Sequence, residues 1–150
     1  MKAVEADTRK LDKLVAELGK DRAIDVGVLG VRYSGEGDST LAEIGVTHEF
    51  GNRERHIPER SFIRMPLARK AGDIEKAGAS DLTHKLGNGE IEQILEDMGI
   101  AAVGAISEAF ETGGFGTWEK NSDRTIEQKR SSRPLIDEGE LRRSIDYEVI

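Results

Sequence analysis

The chain has 150 residues, of which 37% are hydrophobic and 34% charged, and its 22 Lys and Arg against 29 Asp and Glu give a net charge of −7. This length predicts a single domain, and the modest apolar content predicts a thin core that reaches full stability in an oligomer. The net negative charge disfavours non-specific electrostatic binding to nucleic acid or to an anionic membrane. The absence of cysteine excludes disulfides and thiolate metal sites.

The N-terminal part of the chain predicts a helix followed by a strand. Over 3–18, apolar residues recur at helical spacing while charges fill the other faces, and Gly19 follows as a C-terminal cap. This pattern is typical of an amphipathic helix. Residues 25–31, which are rich in Val, then predict a strand whose glycines allow close backbone approach or a bulge.

A capping box marks the next helix. Thr40 is followed three residues later by Glu43, a pair typical of a helix start, and Gly51 ends the predicted helix after Phe50. Pro58 then forces the backbone that follows a charged turn to extend. A further helical stretch covers 66–86.

The glycines of the central region predict where helices break or pack. Gly72 and Gly78 are expected to break the helical stretch 66–86. A longer helix is predicted at 90–111 from its apolar stripe. We expect two glycines within it to let another helix or strand pack closely: Gly99 and Gly104.

A polar segment follows the long helix. Residues 113–133 begin with several glycines and are polar throughout, which predicts a mobile loop that orders when a partner docks. The loop contains Trp118 and a basic cluster: Arg124, Lys129, Arg130 and Arg133. After it, the sequence predicts a short helical turn at 138–144 and, from the alternation of apolar and polar residues, a strand at 145–150.

No arrangement of side chains in the sequence fits a catalytic or metal site. His48 and His56 are eight residues apart with a turn between them, whereas a helical zinc motif needs two His four apart. The carboxylates of Asp137, Glu138 and Glu140 crowd a helix start, where the helix dipole explains them without catalysis. Because phosphate-binding loops and nucleophile motifs are also missing from the sequence, we expect no enzymatic activity, no cofactor and no metal.

The distribution of basic residues and apolar runs bears on possible partners. The basic residues of 53–70 could touch phosphate, but the surplus of acids favours ion pairs within the chain or between subunits. The sequence shows neither a secretory leader nor an apolar run of the roughly 20 residues that span a bilayer. We therefore expect a soluble protein, made in the cytoplasm, with no membrane partner.

Four stretches of the chain together resemble one protein family. They are His48-Glu-Phe-Gly51, Ile57-Pro-Glu-Arg-Ser-Phe-Ile-Arg64, the spacing of Trp118 with Thr125 and Lys129, and Leu135-Ile-Asp-Glu-Gly-Glu-Leu-Arg-Arg-Ser-Ile145. In this order, over residues 40–150, they resemble the virion-morphogenesis or tail-completion proteins of tailed bacteriophages. Two positions depart from the family's pattern. Ser61 stands where Pro is commoner, which loosens the expected turn, and Glu138 replaces a Thr, which leaves capping to Asp137.

The resemblance implies a fold, an assembly and a set of partners. The fold is a small single α+β domain over residues 1–150, an antiparallel sheet with helices packed on it, that forms a homo-oligomeric ring, expected to be a hexamer. The ring would sit at the head-proximal end of the tail, in the virion neck, after assembly in the host cytoplasm. One face would meet the tail terminator or tail tube protein, and the other the head-completion or adaptor protein.

Genomic DNA would pass through the lumen of this ring without sequence recognition. An acidic channel wall suits that passage because it repels phosphate. Two alternatives stay open: a tail terminator or head-closure ring protein, and a DNA-binding accessory protein that uses the basic loop.

The resemblance also suggests which residues make contacts. Those expected at subunit or partner interfaces are Phe50, Ile57, Pro58, Arg60, Phe62, Arg64, Trp118, Arg124, Lys129, Arg130 and Arg133. The first six are expected to form a shaped segment that either fixes the helix-to-sheet junction or faces a neighbour. For the apolar members Phe50, Ile57 and Phe62, a place in the core is the alternative. The residues expected to cap and seat the C-terminal turn are Asp137, Gly139, Leu141 and Ser144.

Overall fold

The computed structural model describes residues 8–29, 40–122 and 139–150. Within these ranges the chain forms seven helices and a two-stranded antiparallel sheet, which make one small α+β domain. The fold class expected from the sequence is confirmed. In chain order the elements are α1 (Arg9–Leu18), β1 (Ile24–Val28), α2 (Leu41–Phe50), α3 (Arg64–Arg69), α4 (Ala71–Ala79), α5 (Leu82–Asn88), α6 (Ile91–Thr112), α7 (Glu140–Arg143) and β2 (Ile145–Val149).

Helix α6 lies at the centre of the domain. Its 22 residues bury Ala102, Ala105, Ile106, Ala109 and Phe110 on one face, at the spacing of an apolar helical stripe. Helices α3, α4 and α5 pack along it, and both strands contact it as well. The prediction of a long helix at 90–111 is confirmed.

The sheet places its apolar face against α6. In the antiparallel register Val26 lies opposite Tyr147, and Val28 lies opposite Ile145. Because residues paired across a ladder share a face, these four side chains stand together, and Val26, Val28 and Ile145 join the core. Asp25 belongs to the other face and is exposed. The strand predicted at 145–150 is confirmed.

The glycines of α6 have different roles. A Cβ added at Gly99 would overlap the ring of Tyr147, so the strand can approach the helix only because no side chain stands there. This confirms the expected close packing at Gly99. Around Gly104, an added Cβ would meet nothing within 4 Å, so the expectation of close packing is wrong for this position.

The helical region after α3 breaks at positions other than those predicted. Gly72 and Gly78 both lie inside α4, and the chain turns instead at Lys70 and Ser80. A glycine inside a helix costs about 1 kcal/mol relative to alanine. At Gly78 this cost is offset by packing, because a Cβ there would lie 2.6 Å from Cγ of Met98 in α6.

Helix α2 begins and ends as predicted. The N–H of Glu43 donates to Oγ1 of Thr40 at 3.2 Å, and the N–H of Thr40 donates back to the Glu43 carboxylate at 2.8 Å. Gly51 ends the helix with φ 71°. A Cβ at this position would lie 2.8 Å from the backbone nitrogen of Glu59, so the turn requires glycine.

Helix α1 lies at the edge of the domain, where it contacts α5 and none of its ten residues is buried. Its last turn is joined to the following loop by Glu17. Hydrogen bonds from Lys20, which has the larger effect, and from Arg22 lower the pKa of the Glu17 carboxyl to about 2. Among the helices of the described ranges, none is both long and apolar enough to cross a membrane.

Candidate assembly surface at the α2–α3 junction

Residues from three of the four family-like stretches meet in one core. Phe62 is fully buried, and its ring centroid lies 5.4 Å from that of Phe110. Phe110 in turn stands edge-on to Trp118 at 5.8 Å, and Leu141 and Ile145 complete the same cluster. The expectation that Phe62 and Trp118 face a partner is wrong, because both side chains are buried within this chain. For Phe62 the core alternative is confirmed.

The buried carboxylate of Glu49 organises the junction between α2 and α3. Its Oε2 accepts hydrogen bonds from the backbone N–H groups of Phe62 at 2.7 Å and Ile63 at 2.9 Å. Its Oε1 accepts the hydroxyl of Ser61 at 2.7 Å, the backbone N–H of Arg64 at 3.1 Å and the Nε–H of Arg64 at 2.9 Å. One carboxylate thus holds four consecutive residues in a fixed turn.

Two opposing effects set the charge state of Glu49. Burial raises the pKa of this carboxyl, but hydrogen bonds from Ser61, Ile63 and Arg64 outweigh burial and hold the pKa below its usual value. Sequence reasoning missed this residue as the organiser of the junction. A signal was present, because a carboxylate in the last turn of a helix opposes the helix dipole and so needs a specific partner.

Ser61 strengthens the turn that its presence was expected to loosen. Its hydroxyl donates to Glu49 at 2.7 Å and accepts the backbone N–H of Met65 at 3.0 Å in the first turn of α3. The turn is therefore fixed by hydrogen bonds in place of a proline ring.

The charged turn between α2 and Ser61 is tied to the body of the domain. Asn52 and Ile57 exchange two backbone hydrogen bonds of 2.8 Å, and the N–H of Arg60 donates to the carbonyl of His48 at 2.8 Å. The side chain of Arg60 is only 6% exposed, and its Nε donates to the carbonyl of Glu119 at 3.0 Å. The expectation that Arg60 faces a neighbour is wrong, because its buried guanidinium joins two segments of its own chain, which agrees with the alternative that it fixes the junction.

Among the expected contact residues that the structure describes, Phe50 and Arg64 are exposed at the surface. Phe50 is 58% exposed, and the guanidinium carbon of Arg64 lies 4.4 Å from the centre of its ring. Arg64 also pairs with Glu59 at 3.1 Å. Ile57 and Pro58 are half-buried.

An apolar groove opens beside Phe50. Its volume is about 340 Å³, and α2 supplies most of its wall. The apolar lining residues are Val28, Ala42, Gly45, Val46, Phe50, Phe62 and Ile63. The ring of Phe62 packs closely against Gly45 and so lines the groove, since a Cβ at Gly45 would lie only 3.3 Å from this ring. Arg64 borders both this groove and a second, more polar cleft of about 500 Å³ that reaches Trp118.

The first part of the predicted mobile loop 113–133 is packed against the core. The N–H of Gly114 donates to the carbonyl of Ala109 at 2.7 Å, and the N–H of Trp118 donates to the carbonyl of Gly113 at 3.0 Å. A Cβ at Gly114 would overlap the indole of Trp118. The expectation that the whole loop is free for a partner is therefore wrong for residues 113–118.

The C-terminal turn is seated on the same core. Leu141 is buried, and the hydroxyl of Ser144 donates to its carbonyl at 2.8 Å. Gly139 precedes α7 with φ 76°, a conformation that glycine adopts without strain. The remaining expected residues lie outside the described ranges: Arg124, Lys129, Arg130, Arg133 and Asp137.

The described ranges contain no group of three or more His, Cys, Asp or Glu side chains that could hold a metal ion. His48 lies in the last turn of α2, and His56 is exposed in the charged turn. Comparisons of the chain with protein-family models, with curated proteins and with solved structures find no match.

Proposed function

We propose that this protein is a structural subunit of a bacteriophage neck. It is a tail-completion protein that forms a ring at the head-proximal end of the tail and joins the tail to the head. The observation that carries the proposal is the meeting of three family-like stretches, distant in sequence, around Phe62, Trp118 and Leu141, with an open apolar groove beside them.

The buried polar groups of the junction support a scaffold role. Glu49 and Arg60 are each less than 10% exposed, and the hydrogen bonds of both charged groups go to their own chain. Their charges fix the path of the backbone between α2 and α3. A segment with a fixed path presents the neighbouring surface to a partner with little loss of conformational entropy on binding.

The exposed part of the junction has the composition of a protein contact. Phe50 and Arg64 are residue types enriched at interfaces, and they stand beside an apolar groove that can take a side chain or a helix. The net charge of −7 fits a lumen through which DNA slides, because like charges weaken adsorption of phosphate.

Electron microscopy of the purified protein tests this function. Tails are prepared from a phage lysate that lacks this chain, mixed with the protein, stained and imaged. We expect rings at one end of the tails, and we expect the mixture to regain the ability to join filled heads. A protein that binds neither tails nor heads contradicts the proposal.

A mobility-shift assay separates the neck function from the DNA-binding alternative. Duplex DNA is titrated with protein over a range of salt concentrations, since binding through phosphates weakens steeply with salt. We expect no shift even at low salt. A salt-dependent shift at micromolar protein would favour the accessory DNA-binding function instead.

A further inference from the structure

Helix α1 carries an apolar stripe that residues 8–29, 40–122 and 139–150 of its own copy leave exposed. Leu11, Val15 and Leu18 follow one another at helical spacing and are 60%, 61% and 59% exposed. A ten-residue helix is marginal in water unless its apolar face is packed. The stripe therefore has the character of a contact surface.

The groove along α2 is another apolar surface that is exposed in the described part of the chain. Val46 and Phe50, one helical turn apart, are 59% and 58% exposed, and they flank a groove of about 340 Å³. Within one copy the two surfaces are separate, because α1 packs against α5 while α2 packs against β1 and α7.

The two surfaces match each other in length and in charge. Both helices have ten residues, which is a length of about 15 Å at the helical rise per residue. Helix α1 carries three cations (Arg9, Lys10 and Lys13) and two carboxylates, of which Glu17 is already paired with Lys20 and Arg22. Helix α2 carries neither lysine nor arginine, and of its two carboxylates Glu49 is buried and paired with Arg64, which leaves the exposed Glu43. The charge balance of α1 is thus positive where that of α2 is negative.

We propose that α1 of one copy lies in the α2 groove of the next copy. Such a contact joins unlike surfaces, so each subunit offers one free stripe and one free groove, and a chain of subunits ends only when it closes into a ring. This inference rests on the proposed neck function and names the contact that would build its ring.

Two charge insertions test the contact by complementation. Val15→Glu breaks the stripe and leaves the groove intact, whereas Val46→Glu breaks the groove and leaves the stripe intact. Burying the new carboxylate in an apolar contact should weaken association more than about tenfold. Light scattering coupled to size-exclusion chromatography should therefore find each variant monomeric at concentrations where the wild-type protein forms rings.

The equimolar mixture of the two variants gives the decisive result. It contains one intact stripe and one intact groove per pair, so we expect a dimer and nothing larger. The matched control is Ile100→Glu, since Ile100 is 60% exposed on α6 but belongs to neither surface. We expect this variant to form rings. Circular dichroism checks folding, and Val15→Ser and Val46→Ser serve as milder versions.

The possible outcomes separate this contact from the neck function. Suppose that the wild-type protein forms rings. If either Glu variant then assembles like the wild type, or if the mixture of the two variants stays monomeric, the proposed α1–α2 contact is wrong, while the proposal that the protein forms a ring is retained. Assembly of the Val46→Glu variant alone would indicate pairing between two copies of α1. A wild-type protein that is monomeric at all concentrations and on tails counts against both proposals.

Discussion

Replacing Glu49 by Gln tests whether one carboxylate holds the α2–α3 junction. The amide keeps the shape of the side chain but turns one acceptor oxygen into a donor. Whichever oxygen is replaced, at least two donors lose their acceptor, because Oε2 accepts two backbone N–H groups and Oε1 accepts three donors. An orphaned buried donor costs about 1–3 kcal/mol, and some of these donors can turn to water.

We therefore expect Glu49→Gln to lower the free energy of unfolding by about 3 kcal/mol. In a domain of this size, that loss corresponds to a fall of about 6–12 °C in Tm. The measurement is urea denaturation followed by the fluorescence of Trp118, the single tryptophan of the chain, which lies in the core. Glu59→Gln is the matched control, because Glu59 is exposed and touches the same Arg64, and it should change stability by less than about 0.5 kcal/mol.

The pH dependence of the stability of the wild-type protein and of Glu49→Gln gives an independent test. The folded protein holds the pKa of Glu49 below its ordinary value of 4.5. A depressed pKa contributes stability that is present above the unfolded value and is lost as pH falls through the folded value. The gap in stability between wild type and Glu49→Gln should therefore narrow below about pH 4.5. The acid response of Glu17 is common to both proteins and cancels. A loss below about 1 kcal/mol at pH 7, or a gap that is independent of pH, refutes the account of the junction.

The glycines provide two further predictions. Gly99→Ala should destabilise the fold by about 1–3 kcal/mol because its methyl group displaces the ring of Tyr147. Gly104→Ala, in open space on the same helix, should stabilise the fold by about 0.5–1 kcal/mol. Equal effects of the two substitutions in urea denaturation would contradict the packing of the sheet on α6. Gly114→Ala should push the indole of Trp118 out of the core, seen as a shift of its emission to longer wavelength in the native state; an unchanged spectrum would show that the turn adapts without moving it.

Local patterns predicted the secondary structure well where neighbouring residues decide the conformation. The start of α2 follows from Thr40 and Glu43, and its end follows from Gly51, all within one short stretch of chain. The long helix α6 was predicted because its apolar residues repeat along the whole element. Capping and periodicity are properties of sequence neighbours, so they can be read without the fold.

The sequence by itself determined α2 with its caps, the long helix α6 and the C-terminal strand, and the family resemblance predicted the α+β class, whereas the helix breaks between α3 and α5 did not follow from the glycines. The burial of each element's side chains was decided by the tertiary structure. Phe50 and Phe62 belong to the same family-like region and are the same residue type, yet one is 58% exposed and the other is fully buried. The partners of Glu49 lie 12 to 15 residues away along the chain, so no local pattern identifies them. The ring of Trp118 likewise joins Phe62 and Leu141, which are distant in sequence, in one core. The Glu49 contacts form because the turn after α2 folds back, and the aromatic core forms because separate elements pack on α6, so both depend on groups that are far apart in the sequence.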